Sequence, residues 1–382
     1  KNITNESLLY IPESISLLSK YPFFVPMNIC LNVLLSLNTS YEKNCLINHI
    51  INEIPLPKRL TQILFYIPII KNPIILNHEY NLYKGISSIK EEEKENNINN
   101  KTEIYGNISM SQFNSMILIN KISIENIIFL FQLLLLEQQI ILVENDYEIL
   151  SKIIIILKSL IYPLKWINPF LPILSFNTVQ FLQTPVPYIM GIDEYLLKYA
   201  LNSKNIYFGK EIIIYNISSK TFTMNKTKKK INKKEIMDIL KLNKMPEKIN
   251  NFLLSELKKK EIIIEKKKNI INENEMDMEI RLIFLKAMLL FLGDYNNYIF
   301  YTDDDNMALF NKEAFIESHK DKDMKIFLEQ MLKTQLFKQF LQNEKLIYLS
   351  EKNINKKKKK SLEKDILLLY ALPLFPGLRL QR

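Results

Sequence analysis

The sequence is poor in the residues that usually build catalytic or metal centres. Its 382 residues hold two cysteines, Cys30 and Cys45, and these form no CxxC pair. That excludes a disulfide framework and a thiolate metal site, and it fits a reducing compartment with both thiols buried as ordinary core residues. The three histidines, His49, His78 and His319, are isolated, so no HExxH helix or Cys/His cluster can be written. Each is expected to be structural or solvent-facing. The six glycines, at 85, 106, 191, 209, 293 and 377, lie far apart. A Walker A loop, a GxGxxG turn and a GxSxG elbow all need closely spaced glycines, so none of them is present. No cofactor, resident metal or small-molecule substrate is implied. Apolar runs are short as well. The longest near the middle, Ile127–Leu136, has ten residues between Glu125 and Glu137, against the ~20 that a bilayer span needs. No signal peptide is visible, and the expected setting is cytoplasmic. The first residue is Lys1 rather than Met, which leads us to expect a preceding segment.

Lysine and hydrophobic residues are abundant. The chain is 47% hydrophobic, enough to bury a sizeable core, and its formal net charge is +10. The charge is concentrated. Runs at 228–230, 258–260, 266–268 and 356–360 hold fourteen lysines, so the remainder of the chain carries −4. Nucleic-acid binding needs a basic folded face with aromatics to stack bases, and is not expected. The runs read as solvated segments, with peripheral attachment to an anionic membrane as a secondary expectation. The triplet Asp303-Asp304-Asp305 reads as a solvated acidic loop, because consecutive carboxylates point in different directions. Trp166, the only tryptophan, is expected to plug the core.

Four polar stretches, roughly Ser87–Glu103, Lys220–Lys234, Glu265–Glu275 and Ser350–Lys360, lack apolar periodicity and are predicted to be loops. They divide the chain at 1–75, 76–111, 112–217, 218–275, 276–345 and 346–382. In the first part, Tyr10–Phe24 reads as a strand turning through Pro22 into a helix near Val25–Leu37. A second helix, about Tyr41–Glu53, must stop before Pro55. The 112–217 part is the most informative. Ile124, Ile127, Ile128, Phe131, Leu134 and Leu135 recur at helical spacing. Gln139–Glu144 is a continuous apolar strand, as expected of one covered on both faces. Another helix carries Leu150, Ile153, Ile154, Leu157, Leu160 and Ile161. Next come a strand at Phe170–Leu174, set at an edge by Pro172, a helix over Thr178–Gln183, a strand at Tyr188–Ile192, a helix to Leu201 and a strand at Glu211–Ile217. This alternation predicts an α/β fold with a mainly parallel central sheet flanked by helices. Lys233–Lys260 looks helical and linker-like, broken at Pro246. Beyond it lies a C-terminal helical subdomain: Glu279–Leu292 with Ile280, Phe284, Ala287 and Phe291 on one stripe, a helix over Lys312–Ser318 capped by Asn311, and one over about Met324–Gln342.

Several segments in order resemble the DENN family, whose members activate Rab GTPases. They are YIPESISLLSKYPFF (Tyr10–Phe24), EIPLP (Glu53–Pro57), LLLLEQQIILV (Leu133–Val143), SLIYPLKWINPFLPIL (Ser159–Leu174), FLQTPVPYIMGI (Phe181–Ile192), LNKMPEKINNFL (Leu242–Leu253), FLKAMLLFLGDYNNYI (Phe284–Ile299) and the pair FNKEAFIES with FLEQMLKTQLFKQFL (Phe310–Leu341). Together they cover about 8–345. The resemblance implies that 1–75 is the end of a longin-type lobe, of which the last strand and helices (about 8–54) are present. It also implies a central DENN core at 112–217 and a downstream DENN helical region at 276–345. The sequence departs from the family at Gln138 and Gln139, where arginines are common, and at Glu144-Asn145, where the strand usually ends in serine.

The function implied by the resemblance is guanine-nucleotide exchange on a small Rab-type GTPase. Such a factor makes no covalent bond, so no catalytic residue is required. A DENN-like scaffold that holds GTPases or partner proteins without exchange is the alternative. Open parallel sheets bind ligands at the carboxyl ends of their strands. That points to Asn145 and Asp146 after the first core strand and to Asp193 and Glu194 after Tyr188–Ile192 as GTPase contacts. The turn Thr184-Pro185-Val186-Pro187 is added as a further candidate. Capping of the following helices by Asp146 and Asp193, and simple stiffening of the turn by its prolines, are the competing structural roles.

Overall fold

The computed structural model describes residues 16–17, 24–55, 62–67, 74–77, 113–203, 205–206, 209, 211–225, 230–266, 273–301 and 308–342. The chain forms two compact units, Lys1–Asn107 and Ile108–Arg382.

In the first unit, α1 (Phe24–Ser36) occupies the predicted helix. α2 (Ser40–Asn48) starts at a capping box: the Thr39 hydroxyl accepts from the Glu42 amide and the Glu42 carboxylate accepts from the Thr39 amide, which satisfies two amides that the helix end leaves open. The helix continues as a π-helical turn over His49–Glu53 and ends at Ile54, extended as Pro55 requires. β1 (Gln62–Phe65) pairs antiparallel with β2 (Ile74–Asn77). Cys30, Val33, Leu34, Leu46, Phe65, Ile67 and Ile74 form the core. Cys45 is exposed, not buried, because the neighbouring Leu46 takes the inward position on α2. The His49 ring bridges Glu53 (2.6 Å) and the Tyr66 carbonyl (3.1 Å), and the Glu53 hydrogen bond raises its pKa. Of the expected strand in Tyr10–Phe24 that turns through Pro22, all but 16–17 and Phe24 lie outside the described residues, as do His78, the 87–103 stretch and the acidic triplet 303–305.

The second unit is built on a six-stranded sheet in the order β4-β5-β3-β6-β7-β8. β3 (Gln139–Val143), β4 (Phe170–Leu171), β5 (Tyr188–Ile192) and β6 (Ile213–Asn216) run parallel. β7 (Thr221–Met224) and β8 (Lys230–Ile231) add antiparallel. This bears out the α/β fold with a mainly parallel sheet. β4 is shorter than predicted and lies at the edge, as Pro172 demands. β7 and β8 correct the reading of Lys220–Lys234 as a loop: Phe222 and Met224 alternate inward between half-buried threonines, a half-buried strand flanked by lysines.

Helices cover both faces of the sheet. α3 (Met116–Lys121) leads into α4 (Ile124–Leu135), a central helix with eleven of its twelve residues buried. Sequence periodicity showed only one of its faces; the others are taken by later helices. α5 (Tyr147–Ser159) lays Leu150 and Ile154 against Gly191 of β5. α6 (Glu194–Asn202) packs Leu196 and Ala200 on the opposite face, with Ile141, Val143, Met190 and Ile192, beside Val179 and Leu182 of the 3-10 helix Val179–Gln183. Trp166 is half-buried and donates to the Pro169 carbonyl at 3.4 Å, so it does not plug the core; its connecting loop lies at the surface.

α7 (Lys233–Leu240) and α8 (Glu247–Lys266) follow, and α8 buries Ile249, Leu253, Leu257 and Ile264, which makes it a packed element rather than a linker. The lysine run 258–260 on α8 is neutralised residue by residue, Lys258 by Glu125, Lys259 by Glu256 and Lys260 by Glu279. α9 (Glu273–Leu292) carries the predicted apolar stripe and begins inside the stretch read as a loop. The short pair β9 (Ile299–Tyr301) and β10 (Ala308–Phe310) is antiparallel. α10 (Lys312–Ser318) starts at Asn311, whose side chain accepts from the Ala314 amide as expected. The last predicted helix is broken at 332–334 into α11 (Lys322–Met331) and α12 (335–342). Among the described residues no helix is long and apolar enough to cross a membrane.

Glu137 joins the sheet to this helical region. It ends α4 in the left-handed conformation (φ 50°), with the Gln138 amide bonded to the Leu133 carbonyl and its own amide to Leu134. Glycine would take that geometry more cheaply. The carboxylate explains the choice, because it accepts from the amides of Gln335 (2.8 Å) and Leu336 (2.9 Å) at the start of α12 and from the Asn168 side chain (3.1 Å). Glu137→Ala keeps the strained backbone and loses the cap, so we expect a loss of about 1–2 kcal/mol. Glu137→Gly should lose less. Thermal midpoints of the two variants check this, and a Glu137→Ala midpoint equal to wild type would refute the role of the cap.

Candidate interaction surface

The carboxyl ends of β3, β5 and β6 form one rim. α5 leaves β3 over one face and α6 leaves β5 over the other, so the two connections diverge at adjacent strands. Diverging connections open a crevice that often takes a small ligand. Here the chain closes it with its own side chains. The Asn145 side-chain carbonyl accepts from the Glu194 amide at 3.1 Å, and the Tyr147 hydroxyl donates to Asp193 at 3.0 Å. That bond to a carboxylate raises the Tyr147 pKa by stabilising the protonated phenol. Asn216, at the end of β6, donates to Glu194 at 2.9 Å, and Ser218 donates to Glu144 at 2.7 Å.

Two of the expected contacts also have structural work. Asp146 caps α5 by accepting from the Glu148 and Ile149 amides, and Asp193 caps α6 through Leu196 (2.8 Å). A carboxylate accepting one or two amides keeps lone pairs for a partner, so capping and contact are compatible. Asn145, Asp146 and Tyr147 are exposed, while Asp193 and Glu194 are half-buried.

The structure brings Asn145, Asp146, Asp193 and Glu194 together and leaves Thr184–Pro187 out. That turn enters β5, so it lies at the amino ends of the strands. Gln139, at the start of β3, donates to the carbonyls of Thr184 (2.9 Å) and Val186 (3.0 Å) and holds it there. Sequence reading missed Glu144, Tyr147, Asn216 and Ser218, which complete the rim. Only the register of β6 beside β3 (Val143↔Asn216) brings the last two in, and no local motif marks them. Among the described residues no group of three or more His, Cys, Asp or Glu side chains is placed to hold a metal ion. The rim is a preorganised, acidic, hydrogen-bonded surface.

Comparison with known proteins agrees with this architecture. The family model of the DENN (AEX-3) domain matches residues 10–220, and that of the dDENN domain matches 310–351. The DENN domain and WD repeat-containing protein SCD1 of Arabidopsis thaliana is 25% identical over 207 residues, which is 52% of this chain and 16% of that protein. Human DENN domain-containing protein 2B is 25% identical over 228 residues, 59% of this chain and 19% of its own length. Mouse DENN domain-containing protein 1A is 24% identical over 220 residues, 58% and 19% respectively. The match thus spans less than a fifth of each of these relatives. Since the DENN domain model alone covers more than half of its residues, this chain belongs to the DENN family.

Proposed function

We propose that this chain is a guanine-nucleotide exchange factor for a small Rab-type GTPase, and that the rim Glu144–Tyr147 with Asp193, Glu194 and Asn216 is a principal contact. The observation that carries the reading is the closed crevice. A site where an α/β sheet would admit a small ligand is filled by the chain's own hydrogen bonds, which leaves a rigid outward surface suited to a macromolecule. Exchange requires nothing more than such surfaces. A protein that binds the nucleotide-free GTPase more tightly than the loaded one weakens nucleotide binding by the same factor, by linkage. The turn Thr184–Pro187, at the other end of the sheet, is a separate contact in this proposal, with Val186 at its exposed tip.

The test is release of a fluorescent GDP analogue from a panel of Rab GTPases. At least one is expected to release nucleotide about tenfold faster with the chain present. Glu144→Lys with Glu194→Lys should remove most of that acceleration, since opposing like charges across an interface costs several kcal/mol. Val186→Glu reports on the turn independently. If no Rab is accelerated, exchange is wrong, and binding of a GTPase without acceleration replaces it with scaffolding.

A further inference from the structure

Beside the rim stands a cluster of exposed rings that the capping and closing bonds do not use. Phe176, Tyr195 and Tyr199 are 56%, 72% and 49% exposed. Single exposed aromatics are ordinary on a protein surface. These three touch one another: the Phe176 ring centroid is 6.1 Å from Tyr195 and 5.3 Å from Tyr199, both edge-on. They are also rigidly presented. Tyr195 and Tyr199 lie one turn apart on α6, which is capped by Asp193 and anchored by buried Leu196 and Ala200. Phe176 sits in a tight turn in which the Ser175 amide donates to the Thr178 hydroxyl at 2.8 Å, just after the Leu174 amide ties the chain to Gly191 at 2.7 Å. Rigid tyrosines lose little conformational freedom on binding, which is why they are enriched at interface hot spots.

The charges around the rings have one dominant sign. Glu194 adjoins Tyr195 in the chain, Asp193 is tied to Tyr147 and the Glu194 amide to Asn145 across the rim, and Asp146 lies between those two residues in the chain. Lys198 is the only basic residue of α6. An acidic rim with an aromatic ridge is complementary to a partner face that carries arginine or lysine side chains next to an apolar patch, with cation–π contacts available to the rings.

We propose that Phe176, Tyr195 and Tyr199 form the selecting part of the interface, discriminating among small GTPases by favouring those that present a basic-and-apolar face. This rests on the GTPase reading above. A partner without the apolar patch would leave the rings in water, and one with acidic residues there would meet like charge; both are rejected.

The experiment measures affinity of the full chain for a panel of nucleotide-free small GTPases. The wild type is expected to favour one or a few members. Tyr195→Ala and Tyr199→Ala should each weaken the favoured complexes about tenfold or more and compress the spread between favoured and disfavoured members. Raising the salt concentration should weaken the favoured complexes most. Tyr195 is largely in solvent, so Tyr195→Ala leaves the fold intact, and circular dichroism checks that for each variant. If a GTPase binds and the folded variants keep both its affinity and the ranking, the ridge has no selective role while the GTPase reading stands. If the wild type binds no GTPase, the reading itself falls, and this inference falls with it.

Discussion

Replacing Arg281 with alanine is expected to destabilise the Ile108–Arg382 unit by about 3–5 kcal/mol, the usual result of removing one partner from a buried ion pair. Arg281, on α9, is 5% exposed, and each of its three guanidinium nitrogens donates to an interior partner. Its Nε donates to both oxygens of Asp277 at 3.0 and 3.1 Å, its Nη1 to Ser159 Oγ at 2.8 Å and its Nη2 to the Phe113 carbonyl at 2.6 Å. Asp277 also accepts the Ser115 amide at 2.6 Å. One guanidinium thus joins the lead into α3, the end of α5 and the body of α9. Without it, a largely buried carboxylate and a carbonyl lose their partner together, and the desolvation penalty is no longer offset. Arg281→Met combined with Asp277→Asn should lose clearly less than Arg281→Ala alone, since no unpaired charge remains and the Asn carbonyl can still accept from Ser115. Urea midpoints at unchanged m, with hydrogen exchange at the α3 and α9 amides, measure both. An alanine variant within about 1 kcal/mol of wild type would mean that water solvates Asp277, and the network would then carry little.

Arg281 also marks where the sequence stops being legible. The stripe Ile280, Phe284, Ala287 and Phe291 predicts α9 and its inward face, and all four are buried. Arg281 lies one position off that stripe, where a solvated charge is the ordinary expectation. Its burial comes from α3 and α5, partners more than a hundred residues away in the chain. The same holds for α4. Its periodicity identifies one face, whereas tertiary packing covers the whole circumference, including the polar Asn126 and Gln132, which bond to Tyr215 and to the Asn243 carbonyl. The hairpin partner β7 was hidden for a different reason. Thr221–Met224 alternates over only four residues, too short to stand out beside the lysines that follow it.

The candidate surface divides along the same line. Asn145, Asp146, Asp193 and Glu194 are legible because the carboxyl end of a parallel strand can be found from the strand alone. Tyr147 and Glu144 are their sequence neighbours but have no distinctive residue type. Asn216, Ser218 and the Phe176–Tyr195–Tyr199 ridge depend on strand order and on which way α6 turns, and neither is written locally. Thr184–Pro187 is the reverse case: its two prolines make it conspicuous in sequence, and because it enters its strand it stands at the other end of the sheet from the rim, a separate surface.

Gly191→Ala is expected to be the most damaging single-methyl change in the unit. Gly191 is an interior residue of β5, paired with Leu142 of β3, and its backbone needs no left-handed conformation. Space is what it lacks. A Cβ built there would stand 2.0 Å from the Pro172 carbonyl oxygen, 2.6 Å from Ile154 Cδ1 and 3.0 Å from Leu150 Cγ. The two side chains of α5 can shift, but the carbonyl belongs to the backbone that crosses β5 after β4, pinned two residues later by the Leu174 amide on the Gly191 carbonyl at 2.7 Å. Overpacking a core usually costs about 1–3 kcal/mol, and a clash with fixed backbone belongs at or above the top of that range. Because the crossing segment leads directly to Phe176, the methyl should also displace the aromatic ridge, so a folded remnant should bind the GTPase more weakly than wild type. Gly209→Ala is the control, since its Cβ would meet nothing closer than 3.4 Å, and its stability should change by no more than about 0.5 kcal/mol. Thermal and urea midpoints of the two variants, measured side by side, decide the matter. Equal midpoints would show that the 172–174 crossing yields freely, and that a close approach of backbone is not what keeps glycine in this strand.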